Sequence, residues 1–145
     1  MNLPQINTPS LTAYYDDTSK LTHVIYRGQM TAQMTIDVYR WILSLAAYID
    51  VADVRGSIYD FREVPNFDRY SLSTVQRESR NLNFNLDVSN IPVALVVKNL
   101  IQESMVRIGM KVSPQEHRKK IVMSEADALQ FFATWHAEHG KQSSV

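Results

Sequence analysis

The sequence contains no cysteine. Disulfides, thiolate zinc sites, iron–sulfur clusters and cysteine nucleophiles are thereby excluded. Glycine is scarce, at four residues, and no Gly-x-Ser-x-Gly, Walker A or Gly-x-Gly-x-x-Gly pattern occurs. Nothing in the sequence therefore builds a phosphate cradle or a nucleophile elbow. Neither sign of charge is in excess, because 15 basic residues balance 15 acidic ones. That argues against a nucleic-acid partner, whose footprint is a basic excess. No run approaches the roughly 18 apolar residues that mark a membrane span. The longest apolar stretch, residues 91–97, is strand-sized. The opening Met-Asn-Leu-Pro-Gln lacks the charged start and apolar block of a secretory signal. A cytoplasmic location with no integral membrane segment is the expectation.

What remains is ordinary globular material, 145 residues with 45% hydrophobic and 21% charged, enough for one domain around one core. Residues 1–10, which include Pro4 and Pro9, read as an extended lead-in. Residues 11–15 and 21–27 are strand-like runs around the polar turn 16–20, which predicts an antiparallel hairpin. From Thr31 the period changes. Met34, Val38, Trp41, Ile42, Leu45 and Ile49 recur at spacings of three and four, one face of a helix. Residues 57–61 form a short strand, and Pro65 marks a loop after it. Asp68 is a good N-cap for the following helix, whose inner face is expected to carry Leu72, Val75, Ser79 and Leu82.

The run 91–97 is rich in β-branched residues, as in strands covered on both faces. Asn99 is placed to cap a helix reaching about Met110, with Ile101, Met105 and Ile108 as its apolar stripe. Residues 117–123 form the last strand. Ser124 and Asp127 resemble a capping box. They open a final helix with Leu129, Phe132 and His136 on one stripe and Gly140 as its natural end. Residues 141–145 are expected to be a frayed tail. The order is ββαβαβαβα, and right-handed crossovers place the later strands parallel.

That order, and the segment around Asp60, resemble the STAS fold of the SpoIIAA-like group, the anti-sigma-factor antagonists. The family signature is a strand ending in Asp, a short loop, and Asp-Ser-Ser-Gly opening a helix. Ile58-Tyr59-Asp60 matches the strand end and Asp68 the start of the second element, but Arg69, Tyr70 and Ser71 stand where the family has Ser, Ser and Gly. The resemblance implies a single STAS/SpoIIAA-like α/β domain over residues 11–140, with a mixed sheet of about five strands and four helices lying mainly on one face. It also implies a protein partner docking at the loop and helix start, residues Asp68, Arg69, Tyr70, Ser71 and Thr74. The phosphoacceptor serine is replaced by Tyr70, so serine phosphorylation at that position is not expected. A lipid-binding group borders the wider set, which suggests a ligand pocket without naming a residue.

Other residues are weighed against plainer roles. His136 and His139 are three apart on a helix, a spacing that permits a shared metal, but a zinc site needs more ligands and a surface pair near a helix end is the simpler reading. Asp16 and Asp17 fit a turn better than acid–base chemistry. Arg107, Lys111, Arg118, Lys119 and Lys120 form a basic segment that either meets an acidic partner or a lipid headgroup or is a solvated helix face and strand start. The methionines with Trp41, Phe132 and Trp135 are core, or else the wall of an apolar pocket. Tyr14 on an edge strand, and Tyr39 and Tyr48 off the stripe of the first helix, suggest a homodimer.

The sequence thus favours a non-catalytic regulatory or interaction domain with no metal and no cofactor. The alternative is a binding protein for a small apolar or lipid-like ligand. An apolar cavity beside the Asn99 helix would favour the alternative.

Overall fold

The structure, a computed structural model, describes residues 2–67 and 71–143. The alternating N-terminal run becomes a hairpin of β2 (Leu11–Asp16) and β3 (Leu21–Arg27), paired antiparallel with Leu11 opposite Tyr26. The Asp16 carboxylate shapes the turn by accepting from the Thr18 N–H at 2.9 Å, the local bond that favours Asp in turns. The lead-in also contributes a strand. β1 (Ile6–Asn7) pairs with β2, Ile6 opposite Ala13, so the sheet has six strands rather than about five. Pro4 and Pro9 flank this short strand, and proline cannot donate to a ladder. The Pro4 carbonyl accepts from Trp41 Nε1 at 2.8 Å, which ties the lead-in to the first helix.

That helix, α1 (Ala32–Leu45), is capped by Thr31, whose hydroxyl accepts from the Met34 N–H. Strands β4 (Gly56–Glu63), β5 (Val93–Val96) and β6 (Lys119–Val122) follow in parallel, completing the order β1-β2-β3-β4-β5-β6. Three more helices link or follow them: α2 (Leu72–Asn85), α3 (Leu100–Val112) and α4 (Glu125–Ser143). Helices α1, α2 and α3 cover one face of the sheet, over Val24, Tyr26, Phe61 and Leu95. Helix α4 packs alone on the other face, over Ile58, Ala94, Val96 and Val122.

Several expected details differ. The cap of α2 is Ser71, whose Oγ accepts from the Thr74 N–H at 3.2 Å; Asp68, expected to cap it, lies outside the described residues. With the helix starting one turn later, Leu72 is 38% exposed and Thr74 is buried in its place. On α3 the buried face is Gln102, Val106 and Met110, while Ile101 is 76% and Ile108 44% exposed. The reason is polar. Gln102 accepts from the Lys98 N–H at 2.8 Å and donates to the Val64 carbonyl at 2.9 Å. Buried backbone groups need partners, and an inward amide at 102 turns residue 101 away by ~100°. On α4 the packed residues are Ala128, Phe132 and Trp135, with Leu129 48% exposed. The helix continues past Gly140 to Ser143, so neither the expected end nor a tail starting at 141 is seen. Residues 144–145 lie outside the described residues.

α4 sits close because β4 opens with Gly56. A Cβ built on Gly56 would stand 2.7 Å from Cε2 of the buried Phe132 ring. Gly56→Ala should therefore destabilise the fold by about 1–3 kcal/mol through overpacking. In a Phe132→Leu background the same change should cost less, a coupling that thermal unfolding of the double-mutant cycle would measure. Equal costs in both backgrounds would contradict the packing account.

Candidate functional site

The three-helix layer does not fill the space above the sheet. A cavity of about 130 Å³ lies between α1, α2, α3 and the face that carries Tyr59 and Leu95. Strand register orders its floor. Ser57, Val93 and Lys119 form one row across the sheet, with Thr22 beside Ser57. These residues stand at or near the N-terminal ends of the parallel strands and make that end polar. Two and four residues further along β4 come Tyr59 and Phe61. Phe61 is joined there by Met30, Phe67 and Tyr26, and the Tyr26 and Phe61 rings stack at 4.8 Å. Polar side chains thus gather at one end of a cavity whose wall is otherwise mostly apolar, Val54, Leu82, Ile91 and Val93 included.

At the polar end Thr22 and Ser57 join hydroxyl to hydroxyl at 2.6 Å. Ser79 is occupied by its own helix, donating to the Val75 carbonyl at 2.6 Å. Asn83 donates through Nδ2 to the Ser79 carbonyl at 2.7 Å, which orients the amide. Its Oδ1 is then a buried acceptor without a partner among the described residues. Such orphans are rare in native proteins.

Tyr39 of α1 and Tyr59 of β4 both line the space. Each keeps some accessible surface although protein packs around it. That surface is the cavity wall. Burial pushes the Tyr39 phenol up to about 12, with Arg118 pulling it down and Glu78 pushing it up. Tyr59 is raised further, by burial first and by Tyr39 second, against Arg118. Both are therefore neutral hydroxyls at physiological pH.

Arg118 and Lys119 were expected on a solvated surface or against an acidic partner. The structure takes both inward. Arg118 closes a short 3-10 turn, Glu116–Arg118, and is 5% exposed. Its Nη1 donates to the Ile91 carbonyl at 2.9 Å and its Nε to Gln115 Oε1 at 3.0 Å. Lys119 donates to Ser113 Oγ at 2.5 Å and to the Pro114 carbonyl at 3.0 Å. Burial, with Arg118 next to it, lowers Lys119 from its ordinary 10.5 to about 8, against a smaller upward pull from Glu116. The inward turn has a physical cause. The approach to β5 and the end of α3 present carbonyls at Ile91 and Pro114 that these side chains satisfy.

The residues singled out from sequence fall in different places. Asp68, Arg69 and Tyr70 lie outside the described residues. Ser71 uses its hydroxyl on the Thr74 N–H and accepts from the Thr74 hydroxyl at 3.0 Å. Thr74 is buried and faces inward rather than toward a partner. Asp60 is held on the opposite face of the sheet by Arg62, Nε to Oδ1 at 3.0 Å and Nη2 to Oδ2 at 2.8 Å. His136 Nε2 lies 2.7 Å from the Arg55 carbonyl, while His139 stacks on Trp135 at 3.7 Å. Tyr39, expected on the outer face of α1, lines the cavity instead, whereas Tyr48 is 53% exposed. Among the described residues no helix is long and apolar enough to cross a membrane, and no group of three His, Asp or Glu side chains is placed to hold a metal ion.

No protein-family model matches the chain, and no curated protein matches it. A solved structure does. It is an uncharacterized protein of the DUF3478 family, with a SpoIIAA-like fold, from Shewanella loihica PV-4. The likeness covers 88% of this chain and 97% of that one, with a TM-score of 0.56 and 17% sequence identity. The fold is SpoIIAA-like.

The buried lysine has a pH signature. Its pKa is lower folded than unfolded, so between about 8 and 10.5 the unfolded chain holds more protons. Stability therefore rises with pH through that window. The raised tyrosines act in the opposite sense, but only above their ordinary 10.0. The urea midpoint of the native protein should climb from pH 8 to 9.5, and that of Lys119→Met should stay level. A native midpoint that is flat or falls over this range would contradict the burial of a charged Lys119.

Proposed function

We propose that this SpoIIAA-like domain is a non-catalytic binding protein for a small amphipathic molecule held between the sheet and helices α1, α2 and α3. The observation that carries the reading is the cavity itself, with a mostly apolar wall that includes Phe61, Met30, Phe67, Leu82 and Ile91 and a few polar groups such as Ser57, Tyr39 and Arg118. Ligand sites are concave, mostly apolar and furnished with a few placed polar groups. The polar groups here suit holding rather than reacting. The phenols stay protonated, a guanidinium does not surrender its proton, and Ser79 is tied to a carbonyl.

Size limits the occupant. An apolar cavity of about 150 Å³ takes one benzene ring, so about 130 Å³ suits a single ring or a short branched chain. Docking of a protein partner at residues 67–74 has less support, because Thr74 is buried and Ser71 is spent on capping.

Benzene is the neutral probe of this space. Saturating benzene should raise the Tm of the native protein by several degrees. A ligand at a hundredfold its Kd adds about 2.7 kcal/mol, and each kcal/mol moves Tm by ~2–4 °C for a domain of this size. Val106→Phe, which adds carbons to a buried lining position, should remove the shift while the protein still unfolds cooperatively. No shift in the native protein, or an equal shift in the variant, would overturn the reading.

A further inference from the structure

Arg118 is a buried cation whose partners are neutral. Its hydrogen bonds go to the Ile91 carbonyl and the Gln115 side-chain oxygen, and neither carries charge. The ion pairs of the described residues lie elsewhere, at Asp17–Lys20, Arg27–Glu63, Asp60–Arg62, Arg77–Glu78 and Glu103–Arg107. Lys119, the next residue, is bonded to a hydroxyl and a carbonyl. Exposed Glu116 reaches it only through space. Two adjacent cations thus border one cavity with no carboxylate paired to either among the described residues. Buried charges are normally paired, because desolvating an ion costs several kcal/mol that a counter-ion offsets. Both residues line the cavity.

We propose that the ligand is a small carboxylate, its anionic group seated at Arg118 and its apolar body directed toward Phe61, Met30 and Phe67; this rests on the ligand-binding reading above. Arg118 Nη2 makes no hydrogen bond to a described residue, while Nε and Nη1 are used to hold the guanidinium in place. Nη2 is left to donate a charge-assisted hydrogen bond to a carboxylate oxygen. The neutral hydroxyls of Tyr39 and Tyr59 line the same cavity, and both sense the Arg118 charge. They supply further donors to an oxygen placed beside it. A phosphate would bring about −1.5 to −2 charge and three acceptor oxygens, more than Arg118 Nη2 and two phenols satisfy when Lys119 is already bonded to Ser113 and Pro114.

Phenylacetate and phenylacetamide have the same shape and differ in charge, so they isolate the head group. Titrations of the native protein at pH 7, followed by NMR amide shifts, should show phenylacetate binding at least tenfold tighter. Arg118→Met should erase the preference and leave the amide's affinity in place. If that variant does not fold, Tyr59→Phe should narrow the preference without abolishing it. Equal or weaker binding of the acid by the native protein, with benzene still bound, overturns the carboxylate assignment alone. Failure of benzene, acid and amide together overturns the ligand-binding reading itself.

Discussion

Every side chain of strand β5 is buried. Val93, Ala94, Leu95 and Val96 are all buried, two on each face. A strand of this kind, paired on both sides in parallel, must be covered on both faces. The rest of the architecture answers that requirement. Crossovers between parallel strands supply α1, α2 and α3 to one side, and the chain after β6 returns α4 to the other. The hairpin edge lies outside the parallel centre, so its outer face stays partly open, with Tyr14 37% exposed and stacked on His23.

The two covers differ in kind. α4 presses directly on the sheet, close enough that β4 carries glycine under the Phe132 ring. The three-helix layer leaves a cavity above the sheet, and its inward residues include Thr35, Ser79 and Gln102 as well as Val and Met. Small and polar side chains on that layer leave room that bulkier apolar ones would fill. The cavity thus follows from which residues the helices turn inward, and its polar end follows from where the parallel strands begin. Arg118 and Lys119 are brought there because α3 ends and β6 begins beside the carbonyls they satisfy.

Those two cations give the site its character. A cavity walled by Phe, Met and Val alone would accept any small apolar solute. Neutral phenols and a fixed guanidinium among its walls would give the ligand proposed above a head and a body. The same cations tie β6 to the approach to β5 and to the segment after α3. The SpoIIAA-like fold does not by itself specify such a space, since function resides in sites carried by folds.

Element order, the hairpin, the buried β5 run and the caps at Asn99 and Ser124 were legible in the sequence, because each rests on local chemistry: periodicity, turn residues and side-chain acceptors. The short β1 strand was not, since two residues carry no periodicity. Rotation of α3 was missed because an apolar stripe at Ile101 and Ile108 competes with an amide at 102, and only the folded chain brings the Val64 carbonyl within its reach. The site was read inside out for the same reason. In sequence, Arg118 and Lys119 are two members of a basic segment, and Tyr39 is an off-stripe residue on a helix. Whether a cation faces water or a cavity depends on the carbonyls and walls that distant segments supply, and those meet only in the tertiary structure.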